Sequence, residues 1–333
     1  MCYSSLDPRT SLLLRWLIDD LGLQVQSITP ASSDASFRRY FRVNLVDGSK
    51  VVMDAPPEKE TTEPFIKIAA LLKSADLHVP DIYQQNQAQG FLLLEDLGST
   101  SYLERLKIEN AEALYAAAMD SLFNLQSRVA TESCQLPQYD QALLSRELGI
   151  FYEWFLEKLL GIVLPISIRQ AVDAFLIDSA LQQPKVCVHR DYHSRNLMCL
   201  DNLSPGVIDF QDAVIGPITY DLVSLLRDCY IRWPETLVQA WLAQYHQRLI
   251  QTDLLAVDLA QFKRWFDLMG LQRHLKAVGI FSRLHLRDNK SAYLADIPLT
   301  MGYVIDVCEA YPELQSLSYF LQQQVLPVYR SYL

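Results

Sequence analysis

The sequence predicts an α+β protein built from a small, β-rich N-terminal lobe and a large, helical C-terminal lobe. Two observations support this expectation. Residues 27–46 alternate as strands do, Asp47-Gly48 supplies a tight turn, and residues 50–54 return as the partner strand. After Ser99, apolar residues recur at helical spacing over long stretches. We therefore place the two lobes at residues 1–98 and 99–333.

The N-terminal lobe is expected to begin with a helix and to end with a strand. Asp7-Pro8 is typical of a helix start and Gly22 of a helix stop. The apolar stretch between them is interrupted by an arginine, which fits an amphipathic helix better than a signal peptide or a membrane span. A second helix is predicted over residues 63–72, and the apolar run at 91–94 predicts a buried strand.

In the C-terminal lobe, the predicted helices are interrupted only by a short hairpin. The helical segments are residues 103–127, 145–160, 236–250, 255–281 and 301–310. Residues 197–200 and 206–208 predict two short strands joined by a turn-rich segment. Antiparallel pairing would place the residue that enters the first strand, Asn196, at the same end as the residue that leaves the second, Asp209.

Composition narrows the class of protein. The chain has 333 residues, half of them hydrophobic, which allows one large or two ordinary domains. A net charge of −10 disfavours nucleic acid as a partner, because a phosphate backbone demands a basic surface. The six cysteines show no Cys-x-x-Cys spacing, so we expect free thiols in a reducing, cytoplasmic compartment. No Gly-x-x-x-x-Gly-Lys-Ser/Thr motif is present, which excludes the P-loop kinases.

The segment His189-Arg190-Asp191, followed four residues later by Asn196 and after the hairpin by Asp209, predicts the reaction. Phosphoryl transfer needs a carboxylate to orient the attacking hydroxyl, and two oxygen ligands to fix Mg²⁺ on the phosphates of ATP. Asp191 would supply the first group, and Asn196 and Asp209 the other two. We therefore expect the catalytic centre of an ATP-dependent kinase. His189 is expected to be structural, with its imidazole bonded to backbone near the loop.

These motifs resemble those of the aminoglycoside phosphotransferase family, and within it the bacterial anomeric kinases for N-acetylmuramate and N-acetylglucosamine. Matching blocks occur at residues 34–42, 52–57, 209–230, 279–284 and 293–298. The resemblance covers most of the chain and implies a two-lobed, protein-kinase-like fold with ATP bound between the lobes. It also implies a small amino-sugar acceptor, a place in cell-wall sugar recycling, and neither a membrane nor an obligate protein partner.

The resemblance implies roles for further residues. Asp221, at a helix start, would brace the catalytic loop. Contacts to ATP would come from the phosphate-covering loop and from the hinge between the lobes, through Ser32, Ser33, Ser36, Glu95 and Leu97. Substrate contacts would come from His193, Arg195, Gln211 and Asp212.

The third strand departs from the general kinase pattern, because Met53 stands where a phosphate-binding lysine is expected. Five nearby cations are candidates to replace it, and the sequence does not choose among them: Arg38, Arg39, Arg42, Lys59 and Lys67. The phosphate-covering loop, residues 30–36, also lacks glycine.

Several roles stay open at this point. Arg195 would touch either the γ-phosphate or the sugar, and Gln211 and Asp212 would either bond the sugar or brace the loop. For Arg283 and Arg287, substrate binding and a solvated surface are equally reasonable interpretations. Two alternative functions also remain: a kinase of aminoglycosides or other small molecules, and a non-catalytic nucleotide-binding relative. The intact set of Asp191, Asn196 and Asp209 speaks against the second.

Overall fold

The N-terminal lobe is an antiparallel sheet of five strands in the order β1, β2, β3, β5, β4. The computed structural model describes residues 7–31, 38–201 and 204–332. In that part of the chain the strands are β1 (Val25–Pro30), β2 (Arg39–Leu45), β3 (Gly48–Asp54), β4 (Ile82–Asn86) and β5 (Phe91–Glu95). The predicted hairpin is present, with Leu45 paired to Gly48 across the turn. Gly48 has a φ of +136°, which glycine adopts more readily than other residues.

The two faces of this sheet pack against different helices. Helix α1 (Pro8–Arg15), which starts at the predicted Asp7 cap and continues as a helix to Asp20, covers the outer face. The outer cluster contains Leu13, Trp16, Leu17, Val43, Val52, Phe91 and Leu93. Helix α2 (Glu63–Ser74) lies on the opposite face, where its Phe65 belongs to the same buried cluster as Met53. The second face is therefore the one turned toward the rest of the molecule.

The C-terminal lobe is organised around one long helix, α9 (Leu259–Asp288), which packs against α5, α6, α7, α8 and α10. The other helices are α3 (Tyr102–Arg105), α4 (Ala111–Arg128), α5 (Gln141–Ile150, helical on to Leu159), α6 (Ile166–Leu181), α7 (Tyr220–Leu226), α8 (Glu235–Gln251), α10 (Ile297–Ala310), α11 (Gln315–Phe320) and α12 (Leu326–Tyr332). Short strand pairs join β6 (Lys185–Val188) to β9 (Val214–Pro217) and β7 (Leu197–Cys199) to β8 (Pro205–Val207). Within the described residues, no helix is both long enough and apolar enough to cross a bilayer.

Several features of this lobe differ from expectation, among them the last two helices, α11 and α12, which were not predicted. The predicted helix at 103–127 is split into α3 and α4. The β6 and β9 pair was not predicted, because buried strands of four residues show no alternation that would separate them from a buried helix. Helix α6 was missed because apolar residues occur all round it, from the exposed Ile166 to the buried Leu176, so no single stripe marks it.

The β7 and β8 hairpin is joined to the small lobe as well as to its own. The N–H of Val207 donates to the carbonyl of His78 at 2.7 Å. Leu97 packs on Gly206 so closely that a Cβ there would lie 2.9 Å from Leu97 Cδ1. Because β5 ends at Glu95 and α3 begins at Tyr102, the predicted lobe boundary at residue 98 falls in this connecting segment, and it stays a prediction.

Candidate active site

Asp221, in the first turn of α7, and His189 hold the start of the catalytic loop. The Asp221 carboxylate accepts the backbone N–H of His189 at 2.6 Å and that of Arg190 at 3.0 Å. Burial raises the pKa of Asp221 to about 7. Burial also lowers the pKa of His189 to about 4, so its ring is neutral at pH 7. That ring lies 3.1 Å from the Ile208 carbonyl and accepts the Asp191 N–H at 3.2 Å, which ties the loop to the hairpin.

Asn196 and Asp209 meet at one end of the β7 and β8 hairpin. Asn196 Nδ2 donates to the Asp191 carbonyl at 3.0 Å and lies 3.4 Å from Asp209 Oδ2. On the other side of that carboxylate, Gln211 Nε2 donates to Asp209 Oδ1 at 2.8 Å. Asp209 has a φ of +63°, an uncommon conformation for a residue with a side chain. The hairpin therefore brings an amide and a carboxylate to one point, as the strand spacing predicted.

This donor set fits Mg²⁺ bound together with a substrate. In the described part of the chain, no three or more His, Cys, Asp or Glu side chains lie close enough together to bind a metal ion. Mg²⁺ is usually held by one or two carboxylates and by the phosphate oxygens of a substrate. Asn196 and Asp209 would supply the protein ligands of such a Mg²⁺ ion.

Asp191 lies at the centre of the loop, and its charge is set by its surroundings. Burial acts to raise the pKa of this carboxyl, but the positive charge of Lys276 and those of neighbouring groups on the loop outweigh it. The pKa of Asp191 consequently lies below its usual range, and the side chain is a carboxylate at neutral pH.

Beneath the loop lies a buried ion network that the sequence did not reveal. Glu147, on α5, sits 2.5 Å from the guanidinium of Arg190 and 2.9 Å from Lys276 Nζ, and it accepts the hydroxyl of Tyr139. Lys276 Nζ also donates to the hydroxyl of Tyr220 at 3.2 Å. Arg190 has a φ of +78°. Glu147 shares no motif with the catalytic loop, so no spacing in the sequence could have found it.

His193 and Arg195 face an aromatic surface on the large lobe. The Arg195 guanidinium lies over the ring of Tyr230, 3.6 Å from its centroid, and 5.8 Å from that of Tyr293. Its Nη2 atom is 3.6 Å from Asp296 Oδ2. The His193 ring contacts Tyr230 edge to face at 5.4 Å. The Arg195 side chain is thus held by Tyr230, Tyr293 and Asp296.

The remaining candidates lie apart from this surface. Gln211 is bonded to Asp209, whereas the side chain of Asp212 is exposed and its carbonyl accepts from Arg190 Nη1 at 3.4 Å. At the end of α9, Arg287 pairs with the adjacent Asp288 at 2.8 Å. Burial, and after it the charge of Arg287, lower the pKa of Arg283.

Part of the expected hinge, the segment around Glu95 and Leu97, already forms hydrogen bonds within the protein. The Glu95 N–H donates to the Asp81 carbonyl at 2.8 Å, and the Glu95 carboxylate lies 3.3 Å from His78 Nε2. Leu97 is buried against the hairpin. A cavity of about 650 Å³ that includes His78, Glu95 and Asp120 opens between α2 and α4 and is not lined by the catalytic residues. The expected phosphate contacts at Ser32, Ser33 and Ser36 lie outside the described residues.

Comparisons with known proteins agree with this geometry. The model of the phosphotransferase enzyme family matches residues 27–259. A relative from Pseudomonas putida, named N-acetylmuramate/N-acetylglucosamine kinase, is 45% identical over 325 residues, covering 93% of this chain and 95% of the relative. A relative of the same name from Pseudomonas aeruginosa is 46% identical over 298 residues, covering 88% of this chain and 87% of the relative.

Solved structures give the same fold. The ADP-bound aminoglycoside phosphotransferase APH(2'')-Ib aligns with a TM-score of 0.60 over 91% of this chain and 99% of that chain, at 14% identity. The predicted two-lobed α+β fold is confirmed.

Proposed function

The chain belongs to the phosphotransferase enzyme family, and we propose that it is an ATP-dependent kinase acting on the anomeric hydroxyl of N-acetylmuramate and N-acetylglucosamine. The observation that carries the proposal is the convergence of Asp191, Asn196 and Asp209 around one loop and hairpin. Relatives with this substrate pair in their names align along most of both lengths, which favours an amino sugar over an aminoglycoside as the acceptor.

Asp191 is proposed to orient the acceptor hydroxyl and to accept its proton. Its lowered pKa keeps it ionised at neutral pH, the form that this role requires. An anomeric hydroxyl is more acidic than an ordinary alcohol, so a weakly basic carboxylate suffices. Positioning and charge neutralisation then supply most of the rate enhancement.

Asn196 and Asp209 are the proposed ligands of Mg²⁺, and the ion would neutralise charge on the transferring phosphoryl group. Asn196 would use its amide oxygen for the metal, since its Nδ2 atom donates to the Asp191 carbonyl. Gln211 is proposed to orient Asp209 rather than to touch the sugar. For adenine, the Glu95 N–H is already engaged, so we assign that contact to the Glu95 carbonyl and the Leu97 backbone.

The aromatic surface beside the loop is the proposed acceptor site. Arg195, which lies over the rings of Tyr230 and Tyr293, would meet the lactyl carboxylate of N-acetylmuramate. His193 would contact the sugar from the Asp191 side. The exposed Asp212 side chain is the weakest of the predicted contacts. We also propose that the enzyme works in the cytoplasm, in cell-wall sugar recycling, without an obligate protein partner.

The test is release of ADP from Mg-ATP by the purified protein, with N-acetylmuramate, N-acetylglucosamine, unacetylated hexoses and kanamycin as acceptors. We expect turnover on the two N-acetyl sugars with loss of their reducing ends. Asp209→Asn should abolish this turnover because it removes the charged metal ligand. Asp191→Asn should lower kcat by about 10²- to 10⁴-fold because it removes the base.

Three outcomes contradict the proposal. Turnover on kanamycin alone indicates an antibiotic kinase, and ADP binding without turnover on any acceptor indicates a non-catalytic relative. Full activity of Asp209→Asn refutes the metal assignment.

A further inference from the structure

The strand position that usually carries a phosphate-binding cation is occupied by a buried apolar residue in this protein. Met53 is fully buried, in the cluster that includes Phe65 and Leu92. Kinases of this type place a cation on the α- and β-phosphates and hold it with a carboxylate from the neighbouring helix. The replacement must therefore reach the cleft from another strand or segment.

The pairing of β2 with β3 shows which side chains share a face with Met53. Tyr40 lies directly opposite Met53. Side chains alternate along a strand, so within β2 Arg42 lies on the Tyr40 face, whereas Arg39 and Phe41 lie on the other. The packing agrees, since Phe41 packs on the outer cluster with α1 and Tyr40 on the cluster that holds Met53. Arg38 immediately precedes β2, and its contact with Glu60 on the α2 side directs its side chain toward the face that holds Met53, one strand away from the position that lacks a lysine.

A carboxylate from the α2 side holds Arg38. Arg38 Nε lies 2.5 Å from Glu60 Oε2, just before the start of α2. The arginine is largely buried, with 14% of its side chain exposed, and Glu60 has 24% exposed. This pair has the chemistry of the cation and carboxylate that kinases use to hold the nucleotide phosphates.

Three other candidate cations have established partners elsewhere. Arg39 pairs with Asp54 on the outer face at 2.6 Å. Arg42 donates to both oxygens of Asp96, at 2.7 and 3.0 Å, beside the hinge. Lys67 forms an exposed pair with Glu63 one turn away at 2.6 Å. Lys59 is exposed in the turn before α2.

We propose that Arg38 supplies the phosphate-binding charge that β3 lacks, and that Glu60 is its positioning residue. The ligand is the diphosphate portion of a nucleotide, whose oxygens match the planar, permanently charged guanidinium. This assignment rests on the proposed ATP-dependent activity, but it can be tested without any sugar.

The test compares binding of ADP and of adenosine by calorimetry in the full-length protein and its variants. Arg38→Gln should weaken ADP binding by about 10- to 100-fold, the effect of losing charge-assisted bonds, while adenosine binding is retained. Arg38→Lys should recover part of the ADP affinity, and Glu60→Gln should weaken ADP binding by less than Arg38→Gln. Lys67→Gln, which removes an exposed cation nearby, is the matched control and should bind ADP as the wild type does.

In turnover, Arg38→Gln should lower kcat/KM for ATP by about 10²- to 10³-fold with little change in the KM of the sugar. Equal loss of ADP and adenosine binding would assign Arg38 a structural role, and a larger loss in Lys59→Gln would move the phosphate contact to Lys59. Wild-type protein that fails to bind ADP overturns the assignment as well. ADP binding that depends on Arg38, without turnover of any sugar, supports the assignment and contradicts only the proposed function.

Discussion

Arg190 shows how a single residue is held in an unfavourable conformation at the site. A non-glycine residue in the left-handed region costs about 1–2 kcal/mol, and Arg190 has a φ of +78°. Its backbone N–H is fixed by Asp221, and its guanidinium is fixed by the buried Glu147. The strain therefore persists because both ends of the residue are held, and the next residue, Asp191, is positioned by the same bonds.

Glu147→Gln tests this network. The substitution removes the carboxylate that pairs with the buried cations Arg190 and Lys276, and loss of one partner from a buried pair destabilises proteins by about 3–5 kcal/mol. We expect a fall of that order in the free energy of unfolding, measured by urea denaturation, together with a lower kcat. Glu153→Gln is the control on the same helical segment, because its exposed pair with Lys158 contributes at most about 1 kcal/mol. Equal stability of the two variants would contradict the role assigned to Glu147.

At the residue scale, the sequence indicated the residues that meet in the loop and hairpin better than it indicated the ion network beneath them. Asp191, Asn196 and Asp209 stand at fixed spacings in one short segment, so local geometry brings them together. Glu147 and Lys276 reach the loop from α5 and α9, and only the packing of those helices places them there. The candidate for the missing strand lysine was likewise left open. The sequence does not show on which face of the sheet each of the five nearby cations lies.

At the scale of elements, the crossing of α5 and α9 requires a glycine. A Cβ at Gly279 would lie 2.6 Å from the Ile150 carbonyl carbon and 2.7 Å from the Phe151 nitrogen, both of them backbone atoms. Backbone cannot move aside as a flexible side chain does. The close approach at this point fixes how α9 lies against α5, and both helices carry parts of the ion network under the catalytic loop.

Gly279→Ala and Gly149→Ala should therefore have opposite effects on stability. Alanine at 279 forces the helices apart and is expected to lower the free energy of unfolding by about 1–3 kcal/mol. Alanine at 149, on α5, meets no atom within 4 Å, so its better helix propensity should raise that free energy by about 0.5–1 kcal/mol. Chemical denaturation of both variants gives the comparison. A stabilising Gly279→Ala would show that the contact between α5 and α9 accommodates a methyl group.

Most elements with a clear apolar period were predicted, and α6, β6 and β9, which lack one, were missed. The β2 and β3 hairpin and helix α8 have clear patterns and were found close to their observed bounds. Strands β6 and β9 are buried almost throughout, and α6 carries apolar residues on all sides, so periodicity carried no information there.

For the whole molecule, buried neutral histidines make stability depend on pH. Burial lowers the pKa of His274 to about 3, and the ring bonds the Arg227 carbonyl at 2.8 Å and stacks on Tyr303. Because this pKa is below the unfolded value, the unfolded chain binds the extra proton between about pH 3 and 6.5. Stability from this group is therefore complete above pH 6.5 and is lost as the pH falls.

His274→Gln should reduce that dependence. We expect the variant to be less stable than the wild type at pH 7.5, and to lose less stability between pH 6.5 and 4.5. The difference in slope should approach about 1.4 kcal/mol per pH unit, the contribution of one proton. Asp221, whose raised pKa has the opposite effect on stability, is present in both proteins and cancels. Thermal denaturation across this pH range measures the effect, and identical slopes would contradict it.

The Val207–His78 hydrogen bond and the packing of Leu97 on Gly206 join the hairpin to the small lobe, which bears on how the two lobes can move relative to each other. The hairpin that carries Asn196 and Asp209 contacts both lobes, and a rotation of one lobe about this contact would use it as the pivot. When one body turns about such a pivot, atoms near the axis move little and distant atoms sweep widely. Under the proposed function, lifting the sheet that carries Arg38 would open the cleft for nucleotide exchange, while Asn196 and Asp209 keep their arrangement.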